Sequence, residues 1–77
     1  MANLVEIIAR ALVSKPDEVN VTEEVNGRET VVKLRVAPDD IGKVIGKSGR
    51  IAKAIRTVVK AAAIRQNIRV TVQIVED

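Results

Sequence analysis

Two glycines three positions apart, Gly46 and Gly49, constrain this chain more than any other feature, because the stretches on both sides of them read as helix. Lacking a Cβ, each can take the left-handed backbone that a sharp corner needs and can let a ligand's own backbone come close. Ahead of the pair, Pro38-Asp39-Asp40 is a helix-start signal, with carboxylates at the positive end of a short helix running from about 39 to Ile45. Behind it, from Arg50 to about Ile64, the apolar set Ile51, Ala54, Ile55, Val58 and Ala62 repeats with helical period, while Arg50, Lys53, Arg56 and Lys60 fall toward the opposite side. The corner Gly46-Lys47-Ser48-Gly49 therefore carries Lys47, and Arg50 beside it, into solvent.

The flanks complete a single domain. Asn3 followed by Glu6 has capping-box spacing, and Leu4, Ile7, Ile8, Ala11 and Leu12 share one face of a helix expected over about 3–14, stopped by Pro16. Val25-Asn26-Gly27-Arg28 sets Asn-Gly between two β-rich runs, about 18–25 and 28–36, as in a two-residue hairpin. With Val25 opposite Arg28, Val21 faces Val32 and Val19 faces Leu34. Asn20 then meets Lys33, Glu18 meets Arg35, and Glu24 falls unfavourably opposite Glu29. A last strand, about 68–75, alternates Ile68, Val70, Val72 and Ile74 with Arg69, Thr71 and Gln73. The expected order is α-β-β-α-α-β, an α+β fold with three helices on one face of a three-stranded sheet; periodicity leaves the strand order open.

Composition removes whole classes of chemistry. The 77 residues include no cysteine and no histidine, which excludes disulfides, Cys/His zinc sites, thiol nucleophiles and Ser-His-Asp triads. Neither metal nor cofactor is expected, and no enzyme activity. Phe, Tyr and Trp are also absent, so the core must be Val, Ile, Leu and Ala, and no ring is available to stack a base. No apolar run approaches the roughly 18 residues of a membrane span, and the expectation is a soluble, untargeted, cytoplasmic protein. Charge is split along the chain: residues 1–40 hold five basic and eight acidic side chains, net −3, whereas 41–77 hold eight basic and two acidic, net +6, the two acids being Glu76 and Asp77. A field of one sign over the second half suits an anionic partner, the plainer alternative being a solvated basic face.

The loop's spacing points to a polynucleotide rather than a nucleotide as the anion expected there. A nucleotide-binding phosphate loop needs G-x-x-x-x-G-K-[ST] after a buried strand, whereas Gly42, Gly46, Lys47 and Ser48 are spaced one residue too short and follow a helix. Gly46 and Gly49 instead allow a strand's sugar-phosphate backbone to approach the positive start of the second helix. The run Ile41-Gly42-Lys43-Val44-Ile45-Gly46-Lys47-Ser48-Gly49-Arg50-Ile51 resembles the KH-domain signature, V-I-G-x-x-G-x-x-I in outline. The element order is similar to the bacterial, type II arrangement over the whole of 1–77, most like small stand-alone KH proteins of the KhpA family.

The resemblance implies a GXXG loop that clamps about four nucleotides of single-stranded RNA or DNA. It places Gly46, Lys47, Ser48 and Gly49 on phosphates, and Ile41, Val44, Ile45 and Ile51 on an aliphatic groove, with Lys43, Arg50 and Lys53 adding charge. Val32, Leu34 and Val36 are candidates for the groove floor. The alternative for Val44, Ile51 and Ile55 is ordinary core, and for Lys43, Lys53 and Arg56 solvated surface. Ala52, Val59 and Ala63, with Ile64, widen the apolar arc of the long helix into a candidate dimer surface, unless the alanines serve only close helix approach. Self-association or pairing with a larger KhpB/Jag-like KH protein, an RNA chaperone or post-transcriptional role, and links to cell shape and cell wall biogenesis are implied by the resemblance alone. The competing expectation is a protein-interaction or ribosome-docking module that uses the groove little.

Overall fold

The computed structural model describes residues 1–75; Glu76 and Asp77 lie outside the described residues. Six main elements follow in order: α1 (Ala2–Leu12), β1 (Asn20–Asn26), β2 (Glu29–Arg35), α2 (Ile41–Ile45), α3 (Arg50–Arg65) and β3 (Arg69–Ile74). Short 3₁₀ turns precede β1, α2 and α3. The fold is α+β in the expected element order. Its sheet runs β1-β2-β3, antiparallel between β1 and β2 and parallel between β2 and β3. Thr30, Val32 and Leu34 of β2 are buried while Glu29, Lys33 and Arg35 are exposed, so one face is covered and the other wet. The buried apolar side chains are all Val, Leu, Ile or Ala.

Both long helices sit one residue position, about 100° of rotation, away from the expected phase. On α1 the buried residues are Val5 and Ala9, and Ile7 is 68% exposed. On α3 they are Ala52, Ile55, Val59 and Ala63, whereas Val58 is 48% exposed and Ala54 is open. Each helix is apolar over more than half its circumference, so two adjacent stripes satisfy the helical period. The stripe turned to the sheet carries Ala9 on α1 and Ala52 and Ala63 on α3, small side chains of the kind that close packing favours.

The hairpin register also differs, by two residues. Asn26 pairs with Glu29, Val25 with Thr30, Val21 with Leu34 and Asn20 with Arg35. Gly27 and Arg28 form the loop, with positive φ (63°) at Gly27 and not at Arg28, so the glycine occupies the first central position as in a type II′ turn. A shift of two keeps every side chain on its face. It also removes the Glu24–Glu29 opposition: Glu24 lies opposite Val31 and reaches Lys33 Nζ at 3.9 Å.

Two carboxylates act on elements other than their own. Asn3 lies inside α1 and caps nothing; the backbone N–H of Ala2 instead donates to Glu23 of β1 at 3.2 Å. Asp40 does not cap α2 with its side chain. It is 1% exposed and accepts from the backbone N–H groups of Ser14 and Lys15, both at 3.0 Å, with Lys43 Nζ 3.3 Å away. Asp40 therefore latches the chain leaving α1 onto the start of α2, and all its donors favour the ionised form.

Candidate nucleic-acid interface

Three of the four residues in the Gly46–Gly49 corner have positive φ: Gly46 (76°), Ser48 (58°) and Gly49 (74°). The two glycines are required for different reasons. A Cβ on Gly46 would lie 2.5 Å from Ile51 Cγ1, whereas one on Gly49 would meet nothing within 4 Å. The corner is held by Gly46 N–H donating to Gly42 O (2.8 Å) and Gly49 N–H donating to Gly46 O (3.2 Å). Lys47 and Ser48 are exposed at its tip. Ser48, a non-glycine in left-handed backbone, sits inside the turn that the Gly49 N–H to Gly46 O bond closes.

The corner opens onto the positive end of α3, a 16-residue helix with no acidic residue in its first turn. Arg50, Lys53, Arg56 and Lys60 continue exposed along α3. Among the described residues no carboxylate pairs with any of them or with Lys47. Lys43 is different: Asp40 and the Ser14 hydroxyl engage its ammonium, so it belongs to the latch rather than to the ridge.

The far wall is the free edge of β3. The N–H groups of Arg69 and Val75 donate inward to β2, at Arg28 O and Leu34 O. Alternate residues must therefore turn their N–H and C=O outward, which puts those of Val70, Val72 and Ile74 on the open edge. Arg56 Nε lies 3.4 Å from Val72 O, tying the basic ridge to that edge. Val70 and Ile74 are half-buried and face the helices. The result is a cleft with cations along one wall and, along the other, outward-turned backbone donors and acceptors, of which Val72 O already accepts from Arg56.

This geometry corrects several expected placements. Val32, Leu34 and Val36 are buried, the first two on the central strand, so none can floor an open groove. Val44 is wholly buried and acts as core, while Ile41, Ile45 and Ile51 remain half-exposed. Counting from Gly49, the last aliphatic position of the signature falls on Ala52, which is buried, rather than on Ile51. Ala52, Val59 and Ala63 are 5%, 1% and 2% exposed inside the chain's own core and cannot form a dimer surface; of that set only Ile64, at 68%, is available. The contribution of β3 was missed because its place at the sheet edge depends on strand order, which alternation does not encode.

A glycine corner between two helices, beside an outward-turned strand edge, is the arrangement of a KH-type fold. The KhpA/KhpB KH-domain model matches residues 2–74. Proteins named RNA-binding protein KhpA are similar over nearly the whole chain. That of Clostridium perfringens is 59% identical over 97% of this chain and 100% of its own length, and that of Halalkalibacterium halodurans 54% identical over 99% and 100%. The chain belongs to the KhpA/KhpB KH-domain family. Among solved structures, Era in complex with MgGDPNP and nucleotides 1506-1542 of 16S ribosomal RNA shares the fold at TM-score 0.64 and 21% identity, covering 99% of this chain and 30% of that one.

Proposed function

We propose that this protein is a non-enzymatic module for single-stranded RNA, working in the cytoplasm as an RNA chaperone or post-transcriptional regulator. The observation that carries this reading is the Gly46–Gly49 corner, which leads from Lys47 and Arg50, exposed and without a carboxylate partner among the described residues, into the cleft between α3 and the outer edge of β3. Phosphates bind at the corner, through Lys47, Ser48 and the close approach that the glycines permit. Bases lie across Ile45, Val70 and Ile74, and the outward backbone groups of β3 offer donors and acceptors to their edges. Arg50, Lys53, Arg56 and Lys60 add affinity that weakens with salt. The names of the curated relatives support RNA as the ligand. Pairing with a KhpB/Jag-like protein, and effects on cell shape and wall growth, extend the same reading through family membership.

Lys47→Asp with Ser48→Asp tests it. Anisotropy titration with a short single-stranded RNA at two salt concentrations is expected to show salt-sensitive binding that the double variant loses, with an unchanged melting temperature. Equal binding by both proteins would reject the corner as the site.

A second reading concerns self-association. The stripes of α1 and α3 that the sheet leaves uncovered meet in an apolar groove of about 390 Å³, lined by Ile8, Leu12, Ile51, Ala54 and Val58. Arg50 and the buried Ile55 also line this groove, so a second subunit seated on it would meet Arg50 at the rim of the RNA cleft; it takes the place of the buried Ala52, Val59 and Ala63 as the surface proposed for self-association.

A further inference from the structure

At the end of α3 opposite the glycine corner, the hairpin tip and the turn into β3 form a notch of about 300 Å³, lined by Arg28, Ile64, Asn67, Ile68 and Arg69. It lies about 22 Å along the helix from Gly49 at 1.5 Å per residue. The backbone joins its two sides, with Arg69 N–H donating to Arg28 O at 2.8 Å, and left-handed Asn67 (φ 56°) turns the chain between Ile64 and Ile68. Among the described residues neither guanidinium has a carboxylate partner, although Glu29 is the backbone partner of Arg69 in the parallel pair. Two exposed arginines beside one exposed and one half-exposed isoleucine combine bidentate anion donors with an apolar platform.

We propose that this notch is a second subsite for the same nucleic-acid strand, taking a phosphate between Arg28 and Arg69 and a base against Ile64 and Ile68. The inference rests on the reading of the glycine corner as the primary clamp. Its support is continuity: Arg50, Lys53, Arg56 and Lys60 run from the corner toward the notch, and Lys60, Ile64 and Arg69 line an adjoining depression of about 400 Å³ along β3. A strand held at the corner by about four nucleotides is thus led toward the arginines, and a longer strand engages both ends.

The test compares oligouridylates of about four and about ten nucleotides on the wild type, on Arg28→Gln/Arg69→Gln and on Lys47→Asp/Ser48→Asp. The arginine variant should bind the longer strand about tenfold more weakly, with its salt dependence shallower by about 0.7 in log–log slope for each phosphate no longer neutralised. It should bind the shorter strand as the wild type does and keep its melting temperature, since both side chains are exposed. Full-strength binding of the longer strand, or equal weakening for both lengths, would overturn the subsite while leaving the corner standing. If the corner variant retains binding of both lengths, or the wild type binds neither, the primary reading fails and the subsite with it.

Discussion

Charges in the first forty residues and charges along α3 are put to opposite uses. In the first region Lys15 pairs with Asp39, Lys33 with Glu24 and Arg10 with Glu6, Glu23 receives the start of α1, and Asp40 is buried among three donors. Along the second, Lys47, Arg50, Lys53, Arg56 and Lys60 have no carboxylate partner among the described residues. Paired and buried charge stabilises the fold; unpaired charge of one sign leaves a field for an anion to satisfy. The molecule thus largely separates folding electrostatics from binding electrostatics, with Arg28 at the hairpin tip falling on the binding side and Lys43, the one cation of the second half that is drawn into a pair among the described residues, on the folding side.

Substitutions can test how sharp that boundary is. The largest contrast lies within two consecutive residues of α3. Val59→Asp buries a carboxylate without a partner and is expected to cost about 4 kcal/mol or more, enough to unfold a domain of this size. Val58→Asp, on the uncovered stripe, should leave circular dichroism unchanged and reduce any oligomer mass measured by light scattering. Asp40 comes next. The Ser14 N–H, foremost, and then the Lys15 N–H and Lys43 hold its carboxyl below the ordinary carboxylate range, against the opposing effect of burial. Because its folded pKa lies below the unfolded one, its stabilisation is complete above the unfolded value and is lost as pH falls through the depressed folded value. Denaturant titrations of wild type and Asp40→Asn should therefore differ most near neutral pH and converge in acid; a pH-independent gap would reject the latch.

The glycine corner offers a smaller contrast. Gly49→Ala should cost about 1 kcal/mol for left-handed backbone alone. Gly46→Ala adds the clash with Ile51 and should lower the melting temperature further. Equal effects would mean that Ile51 yields to the new methyl group, removing the distinction between the two glycines.

Much of this arrangement was legible from local pattern. The alternation of β3, the corner at Gly46 and Gly49, the short helix before it and the basic set on α3 all depend on neighbours a few residues apart, and each appears in place. Phase and register were legible only modulo a small step. Ile51, Ala54 and Val58 satisfy helical spacing as well as Ala52, Val59 and Ala63 do, and Asn26-Gly27 accommodates a loop at 26–27 or 27–28. The structure adopts the register that sets Glu24 opposite Val31 and the phase that buries Ala52, Val59 and Ala63, and neither choice is encoded in spacing.

By itself, then, the sequence determined the α+β element order, the aliphatic core and the position of the glycine corner with its cations, because those features follow from spacing, inventory and backbone freedom along the chain. Only the tertiary structure decided that β3 rather than β2 presents the open edge, that Asp40 serves Ser14 and Lys15, and that Arg28 meets Arg69. Each of these joins residues from 25 to 41 positions apart or follows from strand order, and such pairings are set by which surfaces can be buried together, a property no local pattern carries.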